Sequence, residues 1–400
     1  MDIWIHQNKF HQVVLKKFYI KPIQKEEQTL RTLLCYYQEI ACKAYPTEAK
    51  MEMALGNLYD AKFKLSLTNS GKYSIFCYSL SAPDPAYIKD SNYTVEGLET
   101  EFLKFIEPYF PNSTANQDLF LRACEIYHSD LIGFEEYLLS KSLQQMLTTY
   151  FKDTERDFLP LGSAEELKKI TPKMLYLYYQ ELIKEEHIAI GTGNYPSYKN
   201  LSLVSLQPKW KYTFRSRGKQ KENMYIEPYS SRQAYVHILY ETQIFADDSL
   251  FYACKLLNYF IGGGSSSILF KTIREKYGLC YLIHSAYYAA SGILVISALV
   301  DALQIKKTIS KIDKALEELR IDEIALEEAK AYFIGNTLLG DDFIDTKLHA
   351  YLTDHYFPEM PKTNKDIQGI QAVQKEDVLH AYALLKKSYT YVLGGKKNEK

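Results

Sequence analysis

Length, composition and charge set the first limits on what this chain can be. It has 400 residues, of which 46% are hydrophobic, so it can bury a sizeable core, and its length favours two domains over one. Its 48 lysines and arginines balance 49 aspartates and glutamates, and the net charge of -1 provides no overall attraction to nucleic acid or to an anionic membrane. These values argue against a DNA-binding protein.

The cysteines and the amino terminus exclude further classes. Six cysteines are present without a C-x-x-C pair, which argues against a zinc knuckle, a redox dithiol or a disulfide framework and indicates reduced thiols. The opening MDIWIHQNKFHQVVLKKFY lacks the basic and apolar regions of a secretory signal, and no stretch approaches about 18 consecutive apolar residues. We therefore expect a soluble, cytoplasmic protein.

The amino-terminal half combines predicted strands and helices. Apolar residues recur every three or four positions in TLRTLLCYYQEIACKAYP, which predicts a helix over 29–46. Alternating apolar residues on both sides of a turn at 69–71 predict a β-hairpin. The remaining predicted elements are helices over 96–109 and 116–152, a further helix, and a strand over 187–191.

The carboxyl-terminal half repeats this plan. ITPKMLYLYYQELIKEEHIAIGTG and the final VQKEDVLHAYALLKKSYTYVLGG share a polar start, an apolar helix face and a short strand ending in glycine, and LYDAKFKLSL echoes KYGLCYLIHS. The period is about 200 residues, which indicates two copies of one α/β unit rather than a solenoid. The predicted elements are a strand over 233–240, a helix over 249–261, a hairpin over 280–300, and helices over 303–320 and 322–339.

The domain boundaries follow from this repeat. The run RSRGKQKEN is charged and poor in apolar residues, which is typical of a linker. The sequence therefore predicts an amino-terminal domain over 1–194, a linker over 195–231 and a carboxyl-terminal domain over 232–400. The expected fold class is α/β, or α+β, with two duplicated units that are each a mostly antiparallel sheet covered by helices.

A run of glycine and serine, GGGSSS, follows the helix predicted over 249–261. It does not fit a phosphate loop, because no lysine stands in the required position and a helix, not a strand, precedes it. The bland interpretation is that Gly262, Gly263 and Gly264 supply positive-φ positions that end the helix, while 265–267 offer an N-cap for the next helix.

Arg274 and Tyr281 lie seven positions apart after this run. Arg274 is expected to end a short helix, and Tyr281 to begin a strand after a turn at Gly278. A guanidinium and a phenol directed into one cavity suit a peptide carbonyl oxygen, especially one that gains negative charge during acyl transfer. The alternative is a solvated arginine and an unrelated tyrosine, since the chain contains 35 tyrosines.

The sequence offers no metal motif. Neither H-x-x-E-H nor H-E-x-x-H occurs, and the pairs His6 with His11 and His349 with His355 lack the spacing that places two ligands on one helical face. We therefore assign no metal to this chain. No G-x-S-x-G motif is present either, so the sequence gives no sign of a serine nucleophile.

The segment FIGGGSSSILFKTIREKYGLCYLIHS resembles the glycine loop, helix and strand that open the carboxyl-terminal domain of insulinase-like (pitrilysin family) zinc peptidases. The resemblance implies duplicated α/β units that form half of a clamshell. It also implies that Arg274 and Tyr281 bind the substrate carbonyl, next to a substrate-binding loop of Gly262, Gly263, Gly264 and Ser265.

The amino-terminal half departs from the family pattern. Family enzymes carry H-x-x-E-H in the first unit, whereas RTLLCYYQEIACKAYPT in the corresponding helix contains no histidine. This half is similar to degenerate subunits of heterodimeric bacterial insulinase-like peptidases, in which a partner chain with H-x-x-E-H holds the zinc. Some such pairs mature ribosomal peptide bacteriocins of the subtilosin, or sactipeptide, type.

Three hypotheses follow from the resemblance. The first is a non-catalytic subunit, inactive alone, that binds and orients a peptide for hydrolysis by a zinc-bearing partner, the peptide being a bacteriocin precursor or leader peptide. The second is a purely structural scaffold in which Arg274 and Tyr281 have no role. The third is a standalone hydrolase with an unrecognised site.

Overall fold

The computed structural model describes residues 1–195, 211–218, 223–340, 342–357, 360, 362 and 365–395. Residues 1–195 form β1 (Ile3–His6), β2 (Gln12–Pro22), α1 (Gln28–Ile40), α2 (Glu48–Gly56), β3 (Lys62–Ser70), β4 (Tyr73–Pro83), α3 (Val95–Phe105), α4 (Gln117–Glu136), α5 (Leu138–Tyr150), α6 (Ala164–Leu167), α7 (Pro172–Leu182) and β5 (Glu186–Gly193).

The described residues from 211 onward complete the list of elements. They form β6 (Met224–Glu227), β7 (Gln233–Glu241), α8 (Phe251–Gly262), a π-helix (Phe270–Lys276), β8 (Cys280–Tyr288), β9 (Ile293–Asp301), α9 (Ile305–Glu317), α10 (Glu323–Gly340), α11 (Ile344–Tyr356), α12 (Asp366–Ala372), α13 (Lys375–Ala383) and β10 (Lys386–Leu393). No helix in these described parts of the chain is both long and apolar enough to cross a membrane.

The chain divides into two compact units. The first unit contains Met1–Gly133 and the described residues from Phe158 to 195, and the second contains Phe134–Asp157 and the described residues from Lys211 onward. The segment that contains α5 therefore leaves the first unit and joins the second. The sequence, by contrast, predicts that this segment belongs to the amino-terminal domain over 1–194.

Each unit is built on a five-stranded sheet with the same strand order. In the first unit the order is β1-β5-β2-β4-β3, and in the second it is β6-β10-β7-β9-β8. The first pair in each order is parallel and the other pairs are antiparallel. The prediction of two duplicated, mostly antiparallel α/β units is thus confirmed.

The hairpins of the two sheets occupy equivalent places. Strands β3 and β4 meet at Gly71, which has a φ of 55°, and β8 and β9 meet at Gly292, which has a φ of 60°. Glycine adopts these left-handed conformations without the penalty that a Cβ would bring. Both hairpins were predicted from the sequence, and in each sheet the first strand of the hairpin lies at the edge.

Helices cover the sheets with apolar faces. In the first unit, Leu33, Leu34 and Tyr37 of α1 are buried in one core with Phe76 and Leu80 of β4. In the second unit, α8 contributes Leu256, Leu257 and Ile261 to a core on one face of the sheet. Helix α5 packs Met146 and Leu147 against Val295 and Tyr391 on the opposite face. Because side chains alternate between the faces of a strand, the second sheet is covered on both sides.

Two local predictions differ from the structure. Helix α1 ends at Ile40 instead of at 46, because Ala41 is extended and Cys42 forms a β-bridge with Pro108. Within the predicted linker over 195–231, residues 224–227 form the strand β6, which pairs with β10. The remaining linker residues at 196–210 and 219–222 lie outside the described part of the chain.

Candidate substrate-binding site

The glycine run connects α8 to the π-helix, but its glycines do not act as the sequence predicted. None of Gly262, Gly263 and Gly264 has a positive φ, and Gly263 has a φ of -79°. Glycine is needed for close packing instead: a Cβ on Gly262 would lie 2.7 Å from the backbone nitrogen of Ser285, and one on Gly263 would lie 2.7 Å from the Cα of Tyr259. The run therefore holds α8 against the edge strand β8.

The serines that follow begin the next helix. Ser267 Oγ accepts a hydrogen bond from the Phe270 backbone N–H at 3.4 Å, which is the capping role that the sequence predicted. Of the four predicted loop residues, Gly262 is buried, Gly264 is half-buried, and Gly263 and Ser265 are exposed. Only the last three can therefore reach a bound peptide.

Arg274 lies near the end of the π-helix, and its guanidinium is accessible. The helix has the wide winding of its class, since the Tyr277 N–H donates to the Thr272 carbonyl five residues before it at 3.1 Å. Such windings are rare and are frequently found at functional sites. Arg274 is exposed, and its guanidinium lies over the Phe270 ring at 4.8 Å. Among the described residues it forms no ion pair.

Tyr281 lies at an irregularity in the edge strand β8. Cys280 pairs with Val300 and Leu282 pairs with Leu299, so Tyr281 is an extra residue in β8 without a partner in β9. Such a β-bulge redirects a side chain. Without it, Tyr281 would alternate onto the same face as Ile283, which is buried in the core, but with it Tyr281 is 66% exposed.

The structure brings Arg274 and Tyr281 to the same end of β8 without joining them directly. Burial raises the pKa of the Cys280 thiol to about 11, and the positive charge of Arg274 opposes this rise, so the guanidinium lies near the residue that precedes Tyr281. In the described part of the chain, no hydrogen bond or ring contact links the two side chains. Both donors are therefore available to an acceptor outside this chain.

Helix α1 corresponds, by the resemblance, to the zinc-binding helix of the family. In the first unit, its face with Thr32, Cys35, Tyr36 and Glu39 lines a cavity of about 640 Å³, together with Asp130 of α4. Tyr36 donates to Asp130 at 2.6 Å, and burial raises the pKa of the Cys35 thiol, which keeps it protonated. Zinc requires deprotonated thiols, imidazoles or free carboxylates, so these residues do not fit the metal.

The wider structure agrees with this local result. Among the described residues, no group of three histidine, cysteine, aspartate or glutamate side chains could hold a metal ion. The fold and the site thus define a duplicated α/β protein with an exposed arginine and tyrosine in the second unit and with no cluster of metal ligands among the described residues of the first unit.

Comparisons with known proteins show what this chain is similar to. Residues 169–333 match the family model described as "Peptidase M16 inactive domain". The chain is 22% identical to "Probable inactive metalloprotease YmfF" of Bacillus subtilis, covering 98% of this chain and 95% of that protein. It is 25% identical to "Uncharacterized zinc protease YmxG" of the same organism, over 47% of this chain and 48% of that protein.

A solved structure shows the same fold along the whole chain. The crystal structure of a conserved protein from Enterococcus faecalis V583 has a TM-score of 0.88 and 22% sequence identity, and the match covers 99% of this chain and 96% of that one. The match over residues 169–333 and the similarity to YmfF along nearly the whole chain support a relationship to the peptidase M16 family.

Proposed function

We propose that this chain is the non-catalytic subunit of a heterodimeric zinc metallopeptidase, and that it binds and orients a peptide for hydrolysis by a zinc-bearing partner. The observation that carries the proposal is the bulge at Tyr281, which places a 66% exposed phenol on an edge strand beside an exposed guanidinium. An exposed phenol and an exposed guanidinium at the free edge of a sheet suit the carbonyl oxygen of a bound peptide as their acceptor.

The edge strand provides a way to hold a peptide. Strand β8 pairs only with β9 in the described part of the chain, so its other side offers backbone N–H and C=O groups. An extended peptide that adds to this edge forms main-chain hydrogen bonds regardless of its sequence. Arg274 and Tyr281 then donate to one of its carbonyl oxygens, and the donors stabilise the negative charge that this oxygen gains during hydrolysis.

In this proposal, two chains contribute different parts of one catalytic site. A zinc ion held by H-x-x-E-H in the partner would supply the activated water, and this chain would supply the binding edge and the two donors. A single donor of this kind is typically worth a factor of about 100 or more in rate. The substrate class suggested by the resemblance is a bacteriocin precursor or leader peptide, which would be cleaved in the cytoplasm.

A structural scaffold is the second candidate function. It is favoured by the face of α1, where Tyr36 bonded to Asp130 and a protonated Cys35 stand in the place of metal ligands. A chain that has lost one half of its site could have lost the other half as well, in which case the exposed Arg274 and Tyr281 would contact no substrate.

Purification from the native host tests the proposal. Mass spectrometry should find a second chain with H-x-x-E-H, and metal analysis should find zinc in that chain. Peptide cleavage should require both chains and stop on chelation. Arg274→Ala in this chain should reduce cleavage by the pair about 100-fold. Cleavage unchanged by this substitution would favour the scaffold, and cleavage by this chain alone would contradict both candidates.

A further inference from the structure

A second cavity lies in the second unit, away from Arg274 and Tyr281. It has a volume of about 290 Å³ and is open on one side. The end of α5 supplies Tyr150 and Phe151, the end of β7 supplies Glu241, and the loop that follows supplies Phe245. The segment 211–218 closes it with Arg215 and Arg217. We call this space the Arg217 cavity. Its volume is close to the lower end of the range of small-molecule sites.

The segment that carries the two arginines is fixed in place. The Phe214 N–H donates to the Ala290 carbonyl at 2.6 Å, and a Cβ on Gly218 would lie 2.4 Å from the ring of Tyr150. The backbone at Gly218 therefore packs directly on the tyrosine ring, which only glycine allows. The two contacts hold both ends of 214–218, so the arginines between them are presented to the cavity by a defined backbone.

Two of the charged groups in the Arg217 cavity already have partners. Arg215 donates to Asp247 at 2.5 Å and lies over the Phe245 ring at 4.3 Å. Glu241 accepts a hydrogen bond from the Tyr150 hydroxyl at 2.6 Å. Asp247 therefore balances the charge of Arg215, and the Glu241 carboxylate has a hydrogen-bond donor, without any ligand.

Arg217 differs from these groups. It is exposed at the mouth of the cavity, and it forms no hydrogen bond or ion pair with any residue that the structure describes. Burial and Glu241 raise the pKa of Tyr150, and the positive charge of Arg217 opposes the rise, which places the guanidinium near the phenol. The cavity thus combines a guanidinium that has no partner among the described residues, the carboxylate of Glu241 and the half-buried aromatic ring of Phe245.

We propose that the Arg217 cavity binds a small monocarboxylate that has an aromatic or branched apolar body, with the carboxylate on Arg217 and the body against the half-buried Phe245. A guanidinium matches the two oxygens of a carboxylate. Glu241 faces the same space and repels a second negative charge, so a monoanion is favoured over a dianion such as phosphate. This site is independent of the proposed peptidase role.

The test uses the full chain and N-acetyl-L-phenylalanine as the probe, with its uncharged amide as the control ligand. Calorimetric titration should show saturable binding of the acid and weaker binding of the amide. Arg217→Gln should weaken binding of the acid about tenfold or more, because a charge-assisted hydrogen bond is lost, and Arg217→Lys should fall in between. Arg232→Gln, at an arginine of the same unit whose side chain is 92% exposed, should leave binding unchanged.

Four results would overturn the proposal. They are the absence of saturation at about 10 mM acid, equal binding of acid and amide, equal affinity of the Arg217→Gln and native chains, and tighter binding of inorganic phosphate than of the acid. A far-ultraviolet circular dichroism spectrum and a melting curve for each variant show whether it is folded, so that loss of binding is not loss of structure.

Discussion

At the scale of single residues, the most constrained titratable group is His237 in β7. Its ring is fully buried between two hydroxyls: Nε2 lies 2.7 Å from Ser142 Oγ, and Nδ1 lies 2.8 Å from Ser297 Oγ. Ser142 donates its own proton to the Leu138 carbonyl, so it accepts from Nε2–H, and Nδ1 accepts from Ser297. The neutral imidazole thus satisfies both neighbours and links α5 to the second sheet.

This arrangement predicts a pH dependence of stability. Burial lowers the pKa of His237 to about 3, with a smaller effect from His284, whereas the unfolded chain has a value near 6.5. Between these values the unfolded state binds more protons, so the contribution of His237 is complete above about pH 6.5 and is lost as the pH falls. The slope is at most about 1.4 kcal/mol per pH unit.

Urea unfolding at several pH values measures this effect. We expect the transition of the second unit to weaken steadily from pH 7 to pH 4, and a His237→Gln variant to show a smaller dependence on pH. The exposed His128 of α4 provides the matched control, because His128→Gln should keep the full dependence. An identical pH profile for native and His237→Gln chains would show that His237 is not the group responsible.

A buried ion pair gives a second prediction at this scale. Arg31 of α1 is fully buried and donates to Glu185 at 2.7 Å and to the Tyr178 hydroxyl at 3.1 Å. Removing one partner of a buried pair leaves an uncompensated charge, so Arg31→Met should reduce the free energy of unfolding of the first unit by about 3 kcal/mol or more. Lys21 lies 3.7 Å from Glu185 and can offset part of the loss.

Chemical denaturation of a double-mutant cycle checks the Arg31 prediction. Arg31→Met combined with Glu185→Leu should be more stable than Arg31→Met alone, because the second substitution removes the unpaired carboxylate. A double variant as unstable as the sum of the two single variants would show that the two side chains are not coupled.

At the scale of elements, the contact between α8 and β8 positions the candidate site. The sequence predicted both elements, since periodicity is a local property. The roles of the glycine run and of Arg274 and Tyr281 in substrate binding stay predictions. It could not predict the bulge, because the extra residue at Tyr281 is defined only by the pairing of β8 with β9. It also misjudged the glycines, because close packing against Ser285 is a tertiary constraint that the run GGG does not reveal.

The close contact at Gly262 can be tested by one methyl group. Gly262→Ala should lower the free energy of unfolding by about 1–3 kcal/mol, because its Cβ would overlap the Ser285 backbone and would force α8 away from β8. Gly335→Ala in α10 is the control: no atom lies within 4 Å of its added Cβ, and alanine favours the helix, so it should be neutral or stabilising. Equal effects of the two substitutions in thermal denaturation would contradict this account.

At the scale of the whole molecule, the sequence predicted the duplication of the α/β unit. It did not predict the strand β6 or the unit to which α5 belongs. The echoed segments predicted the repeat because each unit preserves the order of helix and strand that its sheet requires. The strand β6 was missed because its four residues are largely exposed and show no alternation. The sequence did not predict that α5 belongs to the second unit, because an apolar helix face does not indicate which of the two sheets the helix packs on.

Because α5 packs on the second sheet, a core substitution in α5 should reduce hydrogen-exchange protection in that sheet and not in the first. Met146 is fully buried against the second sheet, so Met146→Ala should cost about 2–5 kcal/mol by leaving a cavity there. Hydrogen exchange should accelerate in β7 and β10 and remain unchanged in β2 and β4, because each unit has its own core. Uniform acceleration in both sheets would instead indicate a single cooperative structure.

The most direct test of the central claim is the kcat/KM of the purified pair with Tyr281→Phe in this chain. Removal of the hydroxyl should reduce kcat/KM for peptide cleavage about 100-fold, while Tyr137→Phe, at a tyrosine that is 61% exposed in the same unit, should not alter it. Undiminished cleavage by a correctly assembled Tyr281→Phe pair would contradict the claim that this chain orients the substrate.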